Sequence, residues 1–395
     1  MSQTMTNIYN NVSFALHLHT EALARLQEQA STGSRINRTS DGPSAAHNIL
    51  TLSSQERSLQ NYMDNLSEVI GTLELSSTII TDITSYLVET KSRLTQIASG
   101  TYDAQSRERA AEGIDSILEQ IVSLVNTKNV EQYIFGGANT ASAPYLVQRT
   151  NGEITSVTYQ GSTDGRSVEI APGLSTSAFY AGSDIFSASD RGEPIFSGTT
   201  GAKAGTGTSN VRGDVWLTVI YDGTNYQLSI DDGASYVTVP AGGDNNQAVT
   251  DSRTGQVLYV DSTAITAAGV DLVRIPGTYD IFNTLISIRD ILKNERGLSD
   301  AQLRQVQESC LVSLDEVRNL LIQDSVSVGS KIAFLDDLED CLENLKYNAE
   351  DQTTLLQDAD IAQIAIDISR RQTLYQMSLS AAAKIMSMSL LDYLE

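Results

Sequence analysis

The chain has 395 residues, of which 41% are hydrophobic and 19% charged, with a formal net charge of −23 and a sequence pI near 4.4. That balance argues against nucleic-acid phosphate or an anionic membrane surface as a partner, since both need clustered Lys and Arg, and no run reaches the roughly 18 apolar residues of a membrane span. Aromatics are 6% with one tryptophan, Trp216, so the cores are expected to be aliphatic.

The first eleven residues lack the basic start and apolar core of a secretory signal, so export would need another route. Ile8, Val12, Leu16, Leu23, Leu26 and Ala30 then fall on one helical face that runs to Gly33, a residue suited to the left-handed position after a helix end. His17 and His19 are two apart, which points them to different sides of that helix and spoils a metal pair. From Ser31 to Pro43 the chain is a polar connector broken by two glycines. It ends in a helix-start signal, because Ser40, Asp41 or Gly42 can cap and Pro43 suits the first turn.

Leu52, Leu59, Leu66, Leu73, Ile80, Leu87 and Leu94 recur at every seventh residue and predict one helix of roughly 65 to 75 Å. The companion positions are mixed, with Met63 and Ile70 but also Ser77, Thr84 and Lys91, which favours a multi-helix bundle over a two-stranded coiled coil. Gly100 is expected to end it. A third helix follows from about Gln105, marked by Ala110, Ile114, Ile117, Ile121 and Leu124.

Between Gly136 and Gly277 lie 20 of the 27 glycines and five of the six prolines, so long helices give way to strands. Strands are predicted at 154–159, 167–170, 215–221, 226–230, 235–239, 257–260 and 270–275, with Asp222–Asn225 as the clearest hairpin turn. The Gly, Thr, Ala and Ser run at 198–210 is expected to be a flexible loop. Asp231-Asp232-Gly233 is a turn signal.

Helix returns at Tyr279 with Ile281, Leu285, Ile288 and Leu292, then breaks near Gly297. Ser299 and Gln302 form a capping-box signature for a long helix carrying Leu303, Val306, Cys310, Leu314, Val317 and Leu321, then Val328, Ile332, Leu335, Leu338, Leu342 and Leu345. Cys310 and Cys341 are expected to be small core residues, too far apart along the helix for a disulfide. Asp336, Asp337, Glu339 and Asp340 alternate with core leucines and read as a solvated face rather than a calcium site. In the terminal helix, Ala365, Ile368, Gln372, Tyr375, Leu379, Ala382 and Met386 form one stripe. Ile361, Ile364, Ile366, Leu374, Ile385 and Met388 add apolar surface on other faces, more than a lone helix tolerates in water.

The fold class expected is α+β: a long-helix bundle made by both chain ends, with an inserted β-rich domain. The domains are 1–42 with 352–395 as terminal helices, 43–135 with 278–351 as the long-helix bundle, and 136–277 as the insert. No catalytic, cofactor-binding or metal motif occurs at the required spacing, so no enzyme activity, cofactor or metal is expected, and an assembly role is the working reading. A secreted coiled-coil adhesin binding through the β domain is a different class of reading, and a glycan-active enzyme is a third.

Ala30-Ser31-Thr32-Gly33-Ser34-Arg35-Ile36-Asn37 followed by Ser40-Asp41-Gly42-Pro43 resembles the N-terminal signature of bacterial flagellins and their relatives. Within that superfamily, Gln132–Gly137, Val157–Gly161 and Leu390–Leu394 resemble the family of hook-associated protein 3, the hook-filament junction proteins, with flagellin itself the nearest rival. Ala30 and Gly42 depart from the usual Leu and Asp. The resemblance implies a shaft whose inner layer is the extreme termini and whose outer layer is the long helices, with the β domain facing out.

It also implies export without a cleaved signal peptide to an extracellular flagellum, aided by an export chaperone. There the copies would form a ring homo-oligomer between a hook-side junction protein and flagellin, with no nucleic acid and no membrane insertion. The subunit-interface residues expected on this reading are Val12, Leu16, Leu23, Leu26, Gly33, Arg35, Asn37, Asp41, Ile361, Ile364, Ile368, Tyr375, Leu379, Ile385 and Met388. Of these, Arg35, Asn37 and Asp41 are the expected polar contacts between subunits, carried on the connector Gly33 to Pro43, which the resemblance makes the hinge between layers. Terminal helices of this length gain little from propensity alone, so in the isolated protein the ends are expected to fray around a resistant core of about 45 to 350.

Overall fold

The computed structural model describes residues 2–99 and 103–394, with side chains described except at 2–6, 8, 9, 99 and 385–394. The expected end of the second helix, Gly100, lies outside the described residues. The chain forms two compact units, Met1–Asp64 with Leu338–Glu395, and Asn65–Asp337. Their boundaries fall inside two long helices rather than at the composition changes the sequence marks.

The first unit contains α1 (Ser2–Thr32), the connector with a single 3-10 turn (Thr39–Asp41), and the start of α2 (Pro43–Ser99). It is completed by the end of α6 (Asp300–Gln357) and by α7 (Ile361–Leu394). Gly33 takes φ +69° and its N–H bonds the Gln29 carbonyl at 2.9 Å, the left-handed helix end its position predicts. A second break at 358–360, which the apolar pattern does not mark, separates α6 from α7.

The second unit holds most of α2, then α3 (Ala104–Val125), the β insert, α5 (Ile281–Lys293) and the first part of α6. The heptad positions of α2 are its core: Leu66, Leu73, Ile80 and Leu94 are fully buried and Leu87 nearly so. Asp103 caps α3 through the Ser106 N–H, and Asp280 caps α5 through the Asn283 N–H. The Ser299 and Gln302 side chains and backbones close the capping box that starts α6. α3 packs on α5. There the buried Arg289 guanidinium donates to Asp115 Oδ1 and to the Ile154 carbonyl, both at 2.7 Å, fastening the helices to the β insert. Cys310 is buried as expected, but Cys341 is exposed. It lies on α6 on the side away from the buried Leu335 and Leu342, so its place in the periodic pattern marks the flank of the stripe, not its centre.

Strands begin ahead of the insert with a ribbon of β1 (Lys128–Asn129) and β2 (Gln132–Tyr133), followed within it by hairpins β3 (Tyr145–Thr150) with β4 (Glu153–Tyr159) and β5 (Ser167–Ala171) with β6 (Leu174–Ser177). After the short α4 (Gly182–Ile185) come β7 (Ile195–Ser197), β8 (Lys203–Ala204), β9 (Gly213–Tyr221), β10 (Tyr226–Ser229), β11 (Val237–Thr238), β12 (Gln247–Thr250), β13 (Val257–Asp261) and β14 (Gly269–Ile275). These make a five-stranded antiparallel sheet in the order β11-β10-β9-β14-β7 and a three-stranded sheet β12-β13-β8. Leu217, Val219, Leu228, Val273 and Ile275 from the first share one core with Val249, Leu258 and Val260 from the second.

The run at 198–210 is not a free loop. The Asp271 carboxylate on β14 accepts the N–H groups of Thr199 and Thr200 and the Thr200 hydroxyl, and Thr200 is fully buried. A small-residue composition here serves close approach, since a Cβ on Gly198 would stand 1.7 Å from that carboxylate. Asp231, in the predicted turn, is likewise structural. The Ser235 and Ser252 hydroxyls hold its carboxyl well below the usual carboxylate range, and both backbone N–H groups of those serines donate to it as well. No helix among the described residues is long and apolar enough to cross a membrane.

Candidate functional site: the paired chain ends

α1 and α7 lie side by side and antiparallel, and the turn that ends one is tied to the turn that begins the other. The Arg35 N–H bonds the Gln357 carbonyl at 2.7 Å, the Arg35 guanidinium bonds the Leu356 carbonyl at 2.9 Å, and the Ala359 N–H bonds the Gly33 carbonyl at 3.0 Å. The two Arg35 groups take up carbonyls that the end of α6 leaves without helical partners, and the Ala359 N–H takes the Gly33 carbonyl just past the end of α1. Ser34, buried, donates its hydroxyl to the Ile36 carbonyl at 3.0 Å. The Gln29 amide donates to the Arg35 carbonyl at 2.7 Å, which binds the connector back to α1.

Asp41 does not cap α2. Its carboxylate accepts the N–H groups of Asn37 and Arg38 at 3.2 and 3.0 Å and pairs with Arg25 of α1 at 3.2 Å, so it folds the connector against α1. The carbonyl of Gly42 instead takes the Ala46 N–H at 2.8 Å in the first turn of α2. The Asn37 amide donates to the Ser34 carbonyl at 3.2 Å. Arg35, Asn37 and Asp41, expected as contacts between subunits, are therefore all engaged inside the protomer.

The apolar residues sort by face. Val12, Leu16, Leu23 and Leu26 of α1 are half-buried, as are Ile368 and Tyr375 of α7. Ile364, expected off the main stripe, is buried within this unit at 7% exposure, while Leu379 is 44% exposed. The covered side of α7 is thus turned toward Ile364, because two helices shield only a narrow strip of each other. Ile361 is 50% exposed, and Phe14, Leu18, Ile366 and Met377 are exposed as well. The Ile385 and Met388 side chains lie outside the described residues.

Between the two helices runs a groove of about 800 Å³, lined by Leu18, Ala22 and Leu26 from α1, Leu374 from α7, and the charged groups Glu21, Arg25, Asp367, Arg370 and Arg371. Sequence reasoning missed Ser34, Gln29 and the Arg370–Arg371 pair. The pair carries a signal all the same, being two adjacent cations in a chain of net charge −23. The backbone carbonyls at 356 and 357 carry none.

Residues 5–140 match the family profile described as the bacterial flagellin N-terminal helical region. Two curated relatives, both named flagellar hook-associated protein 3, are 28% identical over 125 residues in Escherichia coli K12 and 29% identical over 124 residues in Salmonella typhimurium LT2. Each alignment takes in 31% of this chain and 39% or 38% of the relative, so it spans about two fifths of the relatives' length. Among solved structures, hook-associated protein-3 from Legionella pneumophila superposes with a TM-score of 0.55 at 15% identity, covering 78% of this chain and 98% of its own. FlgL of Xanthomonas campestris gives 0.51 at 19% identity, covering 76% and 97%. At such identities the likeness is one of fold: long helices from both chain ends around a β-rich insert.

Proposed function

We propose, from the flagellin-type helical region at residues 5–140, that the chain is a structural subunit of the bacterial flagellum that forms the junction ring between hook and flagellin filament. What carries this reading is the pairing of both chain ends as α1 and α7, with apolar side chains left uncovered on both helices. Each such Leu, Ile, Phe or Met gains roughly 1.5 to 3 kcal/mol when a neighbour covers it, against an ordering cost of about 1 to 2 kcal/mol per residue of backbone. The surface is therefore stable in a ring of copies and costly in a lone protomer.

In the assembly the terminal helices 1–42 and 352–395 form the inner layer, 43–135 and 278–351 the outer one, and the insert 136–277 faces outward. Exposed apolar positions such as Ile361 and Leu379 become subunit contacts, and Ile385 and Met388 extend them along α7. The partners are other copies of the chain, a hook-side junction protein and flagellin, and the subunit reaches the cell exterior with an export chaperone. It packs and does not catalyse, and it needs no cofactor.

Purified chain added to isolated hooks bearing the hook-side junction protein, then supplied with flagellin and imaged by electron microscopy, should cap the hooks and start filaments there. Long filaments grown from the chain alone would favour a flagellin reading instead. A stable soluble oligomer that ignores hooks would sink both.

A further inference from the structure

We propose that the α1–α7 groove receives the acidic face of α6 from a second copy of this chain, a contact that rests on the assembly reading and names its partner surface. The groove carries three guanidinium groups, which outnumber its two carboxylates, Glu21 and Asp367. Arg25 is 55% exposed and has one ion pair among the described residues, with Asp41. Arg370 and Arg371 are exposed and form no ion pair among the described residues.

The complementary surface lies on α6. Between Ile332 and Leu345 there are five carboxylates and no cation. Asp336, Asp337, Asp340 and Glu343 recur at steps of three, four and seven, which sets them on one side of the helix, and all four are exposed. None of their carboxylates forms an ion pair or a hydrogen bond among the described residues, although like charges at these spacings oppose the helix that holds them. A stripe of Phe334, Cys341 and Leu345 adjoins them, and all three are exposed. A solvated face explains the carboxylates but not the apolar stripe beside them.

The groove offers the matching arrangement, guanidinium groups beside the exposed Leu18 and Leu374. Guanidinium and carboxylate pair bidentately, and apolar rims exclude water around them. Because the two surfaces differ, the contact is head-to-tail, the kind that generates rings or helical arrays instead of closed dimers.

Charge reversal tests this with the full chain, by sedimentation and electron microscopy of self-association. Arg370→Glu with Arg371→Glu should weaken association by at least about tenfold, as should Asp336→Lys with Asp337→Lys and Asp340→Lys. The chain carrying all five substitutions should recover to within about threefold of wild type, because each like-charge contact becomes an opposite-charge one again. Circular dichroism melting should be the same for all, since every site is exposed.

The proposal is overturned if either reversal associates like wild type, if the five-fold variant does not recover, or if wild type stays monomeric to about 1 mM. It is also overturned if the arginine reversal blocks only hook or flagellin binding, since the occupant would then be another protein. A chain that follows the reversal pattern but does not join hook to filament keeps this contact and loses the junction reading.

Discussion

Gly137 has φ +61°, and a Cβ there would stand 2.2 Å from the Ser162 carbonyl oxygen and 2.7 Å from that of Asp164. Its neighbours explain the crowding, since the Tyr159 hydroxyl donates to the carbonyls of Phe135 and Ser162, and the Ser162 N–H bonds the Gly136 carbonyl. The two stretches that carry the family resemblance at 132–137 and 157–161 thus meet in space. Gly137→Ala is expected to destabilise the Asn65–Asp337 unit by roughly 3 kcal/mol, read from denaturant midpoints at constant slope. A loss below about 0.5 kcal/mol would refute the close approach. Asp324 on α6 behaves in the opposite sense. Burial, and then the nearby Asp184, push its carboxyl up to about 6 from 3.8, and its Oδ2 has no hydrogen-bond partner among the described residues. The folded chain therefore holds a proton between those values that the unfolded chain releases, so stability falls as pH rises through about 6. Asp324→Asn should raise stability at pH 7 by about 1 kcal/mol, discounted for its partial exposure, and flatten the pH dependence of melting between about 4 and 6. An unchanged pH profile would remove the effect.

At the scale of elements, the connector and the α6–α7 turn act as one clasp. The Arg35 guanidinium on the Leu356 carbonyl is a charge-assisted bond worth roughly 1 kcal/mol at an exposed site. Arg35→Ala is expected to leave the Asn65–Asp337 unit unchanged while amides of 361–382 exchange several-fold faster, measured by hydrogen exchange on the monomer. Equal exchange in both proteins would mean the helix pair holds without the clasp. The seven-residue repeat of α2, the capping box of α6 and the stop at Gly33 were all legible, because each rests on residues within one or two turns of each other. The break at 358–360 and the return role of Asp41 were not. Their determinants are backbone groups and an arginine that come together only after the chain ends pair.

For the whole molecule, sequence alone determined that both ends are helical and apolar, that a Gly- and Pro-rich β insert divides them, and that the balance is acidic. Periodicity and composition report which surface an element must bury, and these are local quantities. Tertiary structure decided what covers what: α1 against α7, Ile364 inward and Leu379 outward, Cys341 on the flank of α6, and the small-residue run 198–210 pinned by Asp271. Those outcomes follow from pairing between residues more than 70 positions apart in the chain or from the rotation of a helix against one neighbour, and no local pattern encodes either.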